Sequence, residues 1–510
     1  MTVSEHHLKL SLETAGIVLV SALALPTLTD PDLWGHLRFG LDIIAARQVP
    51  LADTYSFTSD RPWINHEWLS EVLMAASYSA FGTVGLIGLK FVLLAGFVAT
   101  TWLALWLRGV GALWRFIAVA FVILASLALL HSIRPQLWSL LCTSTLLAML
   151  SARRRSWLIA TPFLFAVWVN SHGGWMIGLL VLVVWLAEEC HAGAISGRVA
   201  TLTVAACASA TLANPYGYKL LMFIGETVRT TRDDVTEWLP VIESKPYLVI
   251  WVGSVVLLAR AAAGRRAFHL IASLALAYLS WRVLRVTPFF ALVTVVAALP
   301  WHKERIRPMV RTIPFRGRDR TIAAAMCAIV LAAAAVTWSV AAATSLSCIR
   351  ILPDGPDQVA AAAIKRLELR GRMITWFDWG EYAIWQFGPT LQVSMDGRRE
   401  TVYGPDTLQR HRSFIRAGFD GWPELETLRP DYIWLPRTLP AANFVVQRGW
   451  RPIISTQRSI VWTRDVNIVP ATADSSQPER CFPGLAEPRS DQRADGSVAG
   501  RARGHTIIGN

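Results

Sequence analysis

The sequence predicts a polytopic α-helical membrane protein of about eleven transmembrane helices, followed by a small α/β soluble domain at its C-terminal end. Two observations lead to this prediction. Hydrophobic residues make up 53% of the 510 residues and charged residues only 17%, which is too apolar for a soluble protein of this length. The long apolar segments also stop near residue 344. Residues 1–345 are therefore expected to form a multi-span membrane domain.

A transmembrane helix needs about 20 apolar residues, and buried or kinked spans can be shorter, because lipid offers no partner to a free backbone amide. The first apolar segment lacks a small-residue cleavage site, so it is interpreted as a transmembrane helix and not as a removable signal peptide. The candidate spans lie at residues 10–29, 84–107, 113–131, 135–151, 156–170, 173–189, 199–213, 246–260, 266–281, 286–301 and 321–344.

Arginine and lysine indicate how these spans are oriented. With a cytoplasmic N-terminus, every loop that should face inward contains basic residues, as the positive-inside rule requires. The formal net charge of +13 therefore favours topology signalling beside anionic lipid over nucleic-acid binding, for which no motif is present. An odd number of spans places the remainder outside, so the sequence predicts an inner (plasma) membrane protein with a periplasmic C-terminal domain.

The expected external domain covers residues 346–466, where short β-like runs alternate with helical stretches. From 467 to 510, Ser, Pro, Asp, Arg and Gly predominate, which predicts a disordered tail. Cys348 and Cys481 are the cysteines expected to meet an oxidising compartment. Because Cys481 falls in the predicted tail, the sequence leaves their pairing open. No zinc-binding spacing is present.

The first external loop, residues 30–83, is expected to form two interfacial helices. One runs from Leu33 to Arg47 with apolar residues at helical spacing, and the second begins at Trp63. Asp30 and Asp32 precede the first of these helices, and His36 follows one turn later. Such a group can take a proton or bind a divalent cation, Mg²⁺ or Mn²⁺, with Asp32 and His36 as ligands. The alternative is a solvated helix that Asp32 caps.

Further polar residues recur at the external ends of the apolar segments. Ionisable groups at membrane depth are costly and usually line a pathway or a site. An arginine at such an end can bind phosphate, although proline-stopped hairpins, glycine turns and snorkelling arginines explain the same pattern. The segment from Asn214 to Pro246 is expected to form a partial lid. The candidate residues are His66, Glu67, Arg134, Asn170, His172, Arg282 and Arg285.

This arrangement resembles the GT-C superfamily of membrane glycosyltransferases, which includes protein mannosyltransferases and the aminoarabinose and RgtA-like transferases. The resemblance lies in Asp30-Pro-Asp32 after the first helix, the two interfacial helices, His66-Glu67-Trp68-Leu69 before the second span, and the external domain after the last one. It implies a polyprenyl-phosphate-linked sugar donor and a catalytic carboxylate at Asp32 or Asp30, of which we favour Asp32. The family pattern is an adjacent Asp-Glu pair, so the proline here leaves the base and the metal requirement open.

The resemblance also implies a role for the other polar residues. Arg134, Arg282 and Arg285 are candidates for the donor phosphate, because its leaving requires stabilised negative charge, and His66, Glu67, Asn170 and His172 lie at the same face. In the external domain, acids and arginines follow predicted strands, where loops often bind ligands, although strand-end turns explain them equally. These candidate acceptor-binding residues are Asp378, Glu381, Asp396 and Arg398.

Three other classes of function compete with this interpretation. A transporter or flippase of lipid-linked saccharides would bury charges near the midplane and often show two repeated halves, neither of which is evident here. An enzyme of the O-antigen ligase or polymerase type uses the same donors and stays open. A structural membrane protein would tolerate replacement of Asp32, Glu67 and Arg134. The expected partners of the enzyme are a polyprenyl-phosphate sugar donor, a glycan, lipid or protein acceptor, and membrane lipids.

Overall fold

The computed structural model describes residues 13–152, 154–227, 232, 235–262, 269–299, 348–471 and 480–484, with isolated residues between 328 and 345. The predicted span at 321–344 therefore lies almost wholly outside the described residues. Most of the predicted disordered tail, residues 472–479 and 485–510, also lies outside them.

Every other predicted span coincides with a helix. The first is shorter than expected because Pro26, just beyond its end, has no amide hydrogen to continue the helical pattern. In chain order the helices are α1 (Glu13–Ala24), α2 (Leu33–Ala46), α3 (Trp68–Leu107), α4 (Ala112–Leu130), α5 (Gln136–Ser151), α6 (Arg155–Ser171), α7 (Trp175–His191), α8 (Gly197–Ala210), α9 (Tyr218–Thr227), α10 (Lys245–Ala262), α11 (His269–Arg282) and α12 (Thr287–Ala298).

Three of the described helices, α3, α4 and α10, are each long and apolar enough to cross a membrane. Shorter apolar helices, among them α1 and α5, pack with them. The membrane character of the chain thus follows from the helices themselves, while the total number of spans stays a prediction.

Helix α3 differs from its prediction. The sequence predicts an interfacial helix from Trp63 and a separate span from residue 84, but one helix runs from Trp68 to Leu107 across a kink at Gly82, whose φ of 59° suits glycine. Trp63 and Ile64 are not helical because their amides donate to Leu51 and to Thr401 of distant segments. The helix of the first loop, α2, lies where it was predicted and packs against α3.

The C-terminal domain is α/β, as predicted. Its elements are α13 (Gln358–Arg366), β1 (Gly371–Thr375), α14 (Phe377–Phe387), β2 (Leu391–Val393), α15 (Pro405–Ala417), β3 (Tyr432–Pro436), α16 (Ala441–Val445), β4 (Arg451–Ser455) and β5 (Ser459–Thr463). The sheet order is β2-β1-β3-β5-β4, with β2, β1 and β3 parallel and the β3–β5 and β5–β4 pairs antiparallel. The sequence predicts that Asp378 and Glu381 lie on a loop after a strand, but both residues lie on α14.

This domain is joined closely to the first external loop. Ser56 bridges Val393 of β2, and the Phe57 and Val393 amides donate to Val393 and Tyr55 carbonyls at 3.1 and 2.9 Å. Helix α14 packs against α2. The loop and the domain therefore form one continuous structure at the end of the helical bundle where α1 meets α2.

The prediction of disorder is wrong for residues 480–484. Cys348 and Cys481 form a disulfide, which settles the pairing that the sequence left open. Phe482 is 4% exposed and packs against Trp34 and Trp385, while the carbonyl of Pro483 accepts from Trp34 Nε1 at 3.0 Å. Local composition does not reveal this segment, because its partners are distant in sequence.

Candidate active site

Asp30 and Asp32 occupy the short link between α1 and α2, and they have different surroundings. The Asp30 carboxylate accepts from the Asp32 amide at 3.0 Å and lies 2.7 Å from Arg134 Nη2. Asp32 Oδ2 is 4.0 Å from the same guanidinium, and its side chain is 32% exposed. Although Asp32 stands at the N-cap position of α2, its side chain makes no capping hydrogen bond. The capping interpretation is therefore not supported, and the Asp32 carboxyl is not used to cap α2.

The electrostatic surroundings of Asp32 suit proton transfer. Burial of the group, and then the negative charge of Asp30, raise the pKa of Asp32 to about 7, against the opposing charges of Arg134 and His36. A general base works best when its pKa lies near the operating pH. Asp32 thus combines partial exposure with a pKa near neutrality, as a general base requires.

Arg134 is paired more completely than the sequence suggested. Besides Asp30, it bonds to Glu237 of the segment between α9 and α10. Burial alone would lower the pKa of Arg134, but the charges of Asp30 and Glu237 raise it, so this guanidinium is a permanent cation. Because two carboxylates already neutralise it, Arg134 is suited to hold Asp30 and Asp32 in place.

Arg285 differs from Arg134 in its pairing. It is half-buried in the short turn between α11 and α12 and lies 5.1 Å from the Trp238 ring. Among the described residues it forms no ion pair. Burial, together with the like charges of Arg134 and Arg232, lowers the pKa of Arg285 despite the acids nearby. Such a guanidinium gains most from a bound anion. Arg282, by contrast, is exposed at the end of α11.

Sequence reasoning missed the contribution of Arg232. Its Nε donates to Glu400 at 2.9 Å, and its guanidinium stacks 3.7 Å from the Trp238 ring that Arg285 also contacts. Arg232 is 7% exposed, and its Nη1 has no hydrogen-bond partner. The predicted lid segment thus supplies Trp238, whose ring contacts the guanidiniums of both Arg232 and Arg285. No spacing pattern in the sequence indicates this contact.

Glu67 lies between two imidazoles. Its Oε1 is 3.7 Å from Nε2 of both His66 and His172. Burial opposes its ionisation, but the neighbouring His66, His172, His36 and Arg285 lower the pKa of Glu67. Glu67 is therefore a carboxylate within the same polar cluster as Arg285.

His172 is held in one neutral form. Its Nδ1 accepts the Gly174 amide at 3.0 Å and lies 2.6 Å from the Ser139 hydroxyl, which leaves the proton on Nε2, facing Glu67. Burial and nearby positive charges lower the pKa of His172 to about 3. The neighbouring Asn170 is occupied, because its Oδ1 accepts from Trp68 Nε1 at 2.7 Å and its amide donates to two carbonyls. It supports the site and is not free to bind a donor.

Lys90 was also missed, although a lysine within an apolar span is a signal of a specific role. It is 0% exposed, and its Nζ donates to the Pro26 carbonyl at 2.9 Å and to Thr27 Oγ1 at 3.0 Å. These oxygens belong to the segment between α1 and Asp30. Lys90 therefore fixes the chain that positions the two aspartates.

The predicted metal site does not fit the side chains present. His36 Nδ1 lies 3.1 Å from Glu71 Oε1, and although burial alone would lower the pKa of His36, the hydrogen bond and charge of Glu71 raise it to about 9. A proton on the imidazole competes with a metal ion, so the pairing with Glu71 disfavours His36 as a ligand. The part of the chain that the structure describes also contains no group of three or more His, Cys, Asp or Glu side chains arranged for a metal ion.

The predicted acceptor-binding residues are buried contacts. Arg398 donates to both oxygens of Asp396 at 2.8 and 2.7 Å and to Asp53 at 2.6 Å. Its guanidinium also lies over three aromatic rings of the first loop, the closest being Trp63. Glu381 is 3% exposed, and Asp378 is half-buried in the first turn of α14. Except for Asp378, these residues join the domain to the membrane part and offer no open acceptor surface.

Comparison with known proteins supports the fold. No protein-family profile and no curated protein sequence matches the chain. Among solved structures, the mycobacterial arabinofuranosyltransferase AftD is similar with a TM-score of 0.51 and 15% identity, covering 92% of this chain and 40% of AftD. ArnT from Cupriavidus metallidurans in the apo state gives a TM-score of 0.49 and 14% identity, covering 90% of this chain and 98% of ArnT.

The likeness to AftD defines the class of fold: this chain has a multi-span helical membrane fold of the kind found in that protein. At this identity the likeness concerns the fold, and the chain spans well under half the length of AftD.

Proposed function

We propose that this protein is a membrane glycosyltransferase that moves a sugar from a polyprenyl-phosphate-linked donor to an acceptor hydroxyl at the external, periplasmic face of the inner membrane. The observation that carries the proposal is the partly exposed carboxyl of Asp32, with a pKa raised to about 7. It lies in one cluster with Arg285, an arginine that forms no ion pair with the residues that the structure describes. A base and an anion-binding cation are the two groups that sugar transfer from a phosphate needs.

In the proposed reaction, Asp32 accepts the proton of the acceptor hydroxyl while the hydroxyl oxygen bonds to the anomeric carbon. The bond from that carbon to the donor phosphate oxygen breaks, and its electron pair stays on the phosphate. The products are the glycosylated acceptor and the polyprenyl phosphate. Proton transfer to a positioned base contributes about 10²–10⁴ in rate in typical enzymes.

Arg285 supports the departing phosphate in this scheme. The guanidinium rests on the Trp238 ring beside Arg232, and a phosphate would offset the mutual repulsion of the two cations. Arg134 is less suited to this role because Asp30 and Glu237 already occupy it. A cation placed where negative charge develops stabilises the transition state without reorganisation.

Glu67 and His172 are assigned to the donor sugar. The carboxylate of Glu67 accepts hydrogen bonds, and the Nε2 proton of the neutral His172 can be donated. Sugar hydroxyls both donate and accept, so this pair is matched to them. The proposed steps use only side chains of this protein, because Asp32 and His36 do not fit a divalent cation. The dependence on Mg²⁺ or Mn²⁺ stays a prediction, tested by transfer in the presence of a chelator.

The test is transfer of labelled sugar from a pool of polyprenyl-phosphate donors in reconstituted proteoliposomes. The pool should include a pentose donor, because the structural neighbour is named as an arabinofuranosyltransferase. Asp32→Asn should lower the rate by about 10²-fold or more, and Arg285→Gln by about 10²-fold. The exposed Arg282→Gln, three residues from Arg285, is the matched control and should keep the wild-type rate.

The alternatives give different results in the same vesicles. A transporter would move lipid-linked sugar across the bilayer without transferring it, and a structural protein would tolerate Asp32→Asn and Arg285→Gln equally. If well-inserted wild type transfers sugar and Asp32→Asn transfers it at the same rate, the assignment of the base is wrong even though the enzyme class stands.

A further inference from the structure

The C-terminal domain reaches the catalytic aspartate directly, at Gly397 in the turn after β2. A Cβ atom at this glycine would lie 2.0 Å from Asp32 Oδ1 and 2.8 Å from Glu381 Oε1. Real Cβ atoms do not approach other atoms so closely, so the backbone fits here only because glycine has no side chain. The carboxyls of Asp32 and Glu381 therefore lie against the same point of the turn and are close neighbours.

A second glycine accommodates Glu381 from the other side. A Cβ at Gly35, in the first turn of α2, would lie 2.0 Å from Glu381 Oε2. Asp32 and Gly35 are three residues apart at the start of α2 and share one face. The side chain of Glu381 thus extends from α14 across the gap between two glycines and ends beside Asp32.

Among the residues that the structure describes, Glu381 has no counterion of its own. It is 3% exposed, and its Oε2 has no hydrogen-bond partner. The charged groups that face it are Asp32, Asp396 and Glu71, three acids on separate elements, and Arg398. The guanidinium of Arg398 is already engaged by Asp396 and Asp53. Burial, and then the charges of Asp32 and Asp396, raise the pKa of Glu381 well above its usual range.

A buried carboxyl among acids is stable as the neutral form, because an isolated carboxylate loses too much solvation. Two neighbouring carboxyls that cannot both ionise share one proton. In this pair Asp32 is the more exposed group and Glu381 the enclosed one. The proton therefore stays on Glu381 while Asp32 ionises toward the substrate side.

We propose that Glu381 is a positioning residue of the active site, whose protonated carboxyl donates a hydrogen bond to the Asp32 carboxylate and orients it toward the acceptor. The reaction then depends on the C-terminal domain, because this donor comes from α14. No bond is made or broken at Glu381 during turnover. The inference rests on the proposed role of Asp32 as the base.

The test compares Glu381→Gln with Glu381→Leu in the full-length protein. Glutamine has the size of a protonated glutamate and keeps a hydrogen-bond donor. Leucine fills the space between the two glycines but cannot donate a hydrogen bond. A hydrogen bond to a charged group corresponds to about 10-fold or more in rate, so kcat of E381L should fall at least that far below kcat of E381Q, with KM unchanged. The exposed Glu424→Leu in the same domain is the control and should match wild type.

The pH profile distinguishes positioning from packing. A hydrogen bond donated to a carboxylate favours the ionised form, so its loss in E381L should move the acidic limb of the kcat profile to higher pH, while E381Q keeps the limb in place. Equal kcat values and equal acidic limbs for folded E381L and E381Q would overturn the proposal. A loss in E381Q as large as in E381L would also overturn it.

An infrared difference spectrum tests the same residue without turnover. Wild type at pH 7 should show the C=O stretch of a protonated carboxyl that is missing from E381Q. If this band is present but the protein transfers sugar from none of the donors, the proposed function is wrong, while the protonation of Glu381 is confirmed. If transfer occurs but E381Q retains the full band, the transferase stands and this inference is wrong.

Discussion

The ion cluster around Arg398 gives the sharpest test of how the C-terminal domain is held on the membrane part. Its guanidinium bonds to Asp396 and Asp53, and the side chains of both acids are 0% exposed. Arg398→Met keeps much of the apolar stem against the aromatic rings but leaves two buried carboxylates without a partner. Breaking a buried pair in this way costs about 3–5 kcal/mol.

The assay is thermal unfolding of the purified protein in detergent, followed by a signal from the C-terminal domain, because a multidomain protein need not unfold in one step. The matched control is Arg448→Met, which removes an exposed pair with Asp420 in the same domain and should cost at most about 1 kcal/mol. Arg398→Met should lower the transition well below that of the control.

The effect should also depend on pH. Burial alone would raise the pKa of Asp396, but the charge of Arg398 lowers it. An acid with a lowered pKa in the folded state stabilises the fold above its unfolded pKa and loses that contribution as pH falls. The difference between wild type and Arg398→Met should therefore shrink in acid. A cost no larger than that of Arg448→Met at neutral pH would refute the reasoning.

Other predictions concern the site and its supports. The rate of transfer by wild type should rise with pH through about 7 as Asp32 ionises. Asp30→Asn removes a neighbouring negative charge, so it should move this acidic limb of the pH–rate profile to lower pH. An acidic limb that does not move would contradict the prediction. His36 has a pKa raised to about 9, so the stability that wild type gains over His36→Gln should be complete below its unfolded value of about 6.5 and disappear as pH rises through 9 in thermal melts. Replacing Cys348 and Cys481 together by serine should lower the free energy of unfolding of the C-terminal domain by about 2–4 kcal/mol, and unchanged melts would count against the role of the disulfide.

Most residues of the candidate site were singled out from the sequence. Asp32, Glu67, His172 and Arg285 were singled out because charged and polar residues at the ends of apolar segments are costly unless they are used. The structure brings these four residues into one cluster. Asn170 and Arg282 followed the same pattern, but one is fully hydrogen-bonded and the other is exposed.

The side chains at the predicted metal site do not fit a metal ion, for a reason that no spacing could reveal. His36 lies one helical turn after Asp32, as a pair of metal ligands requires. Its imidazole, however, is hydrogen-bonded to Glu71 from another helix. In the same way, Glu381 and Arg398 resembled surface loop residues, while α14 and the turn after β2 place them in the interface. In each case the predicted role did not fit because the side chain contacts a residue that is distant in the sequence.

The sequence by itself determined the membrane class, the order of the helices, the α/β character of the C-terminal domain and the polar end of the bundle. These properties depend on local composition and periodicity. In lipid every backbone amide must be hydrogen-bonded within the protein, so a long apolar segment has to be helical. Only the tertiary structure decided which charges are neutralised, that Arg285 stays unpaired, and that Glu381 reaches Asp32 across most of the chain. Those outcomes depend on contacts between segments far apart in sequence, and the energy of a buried charge is set by the partner it meets.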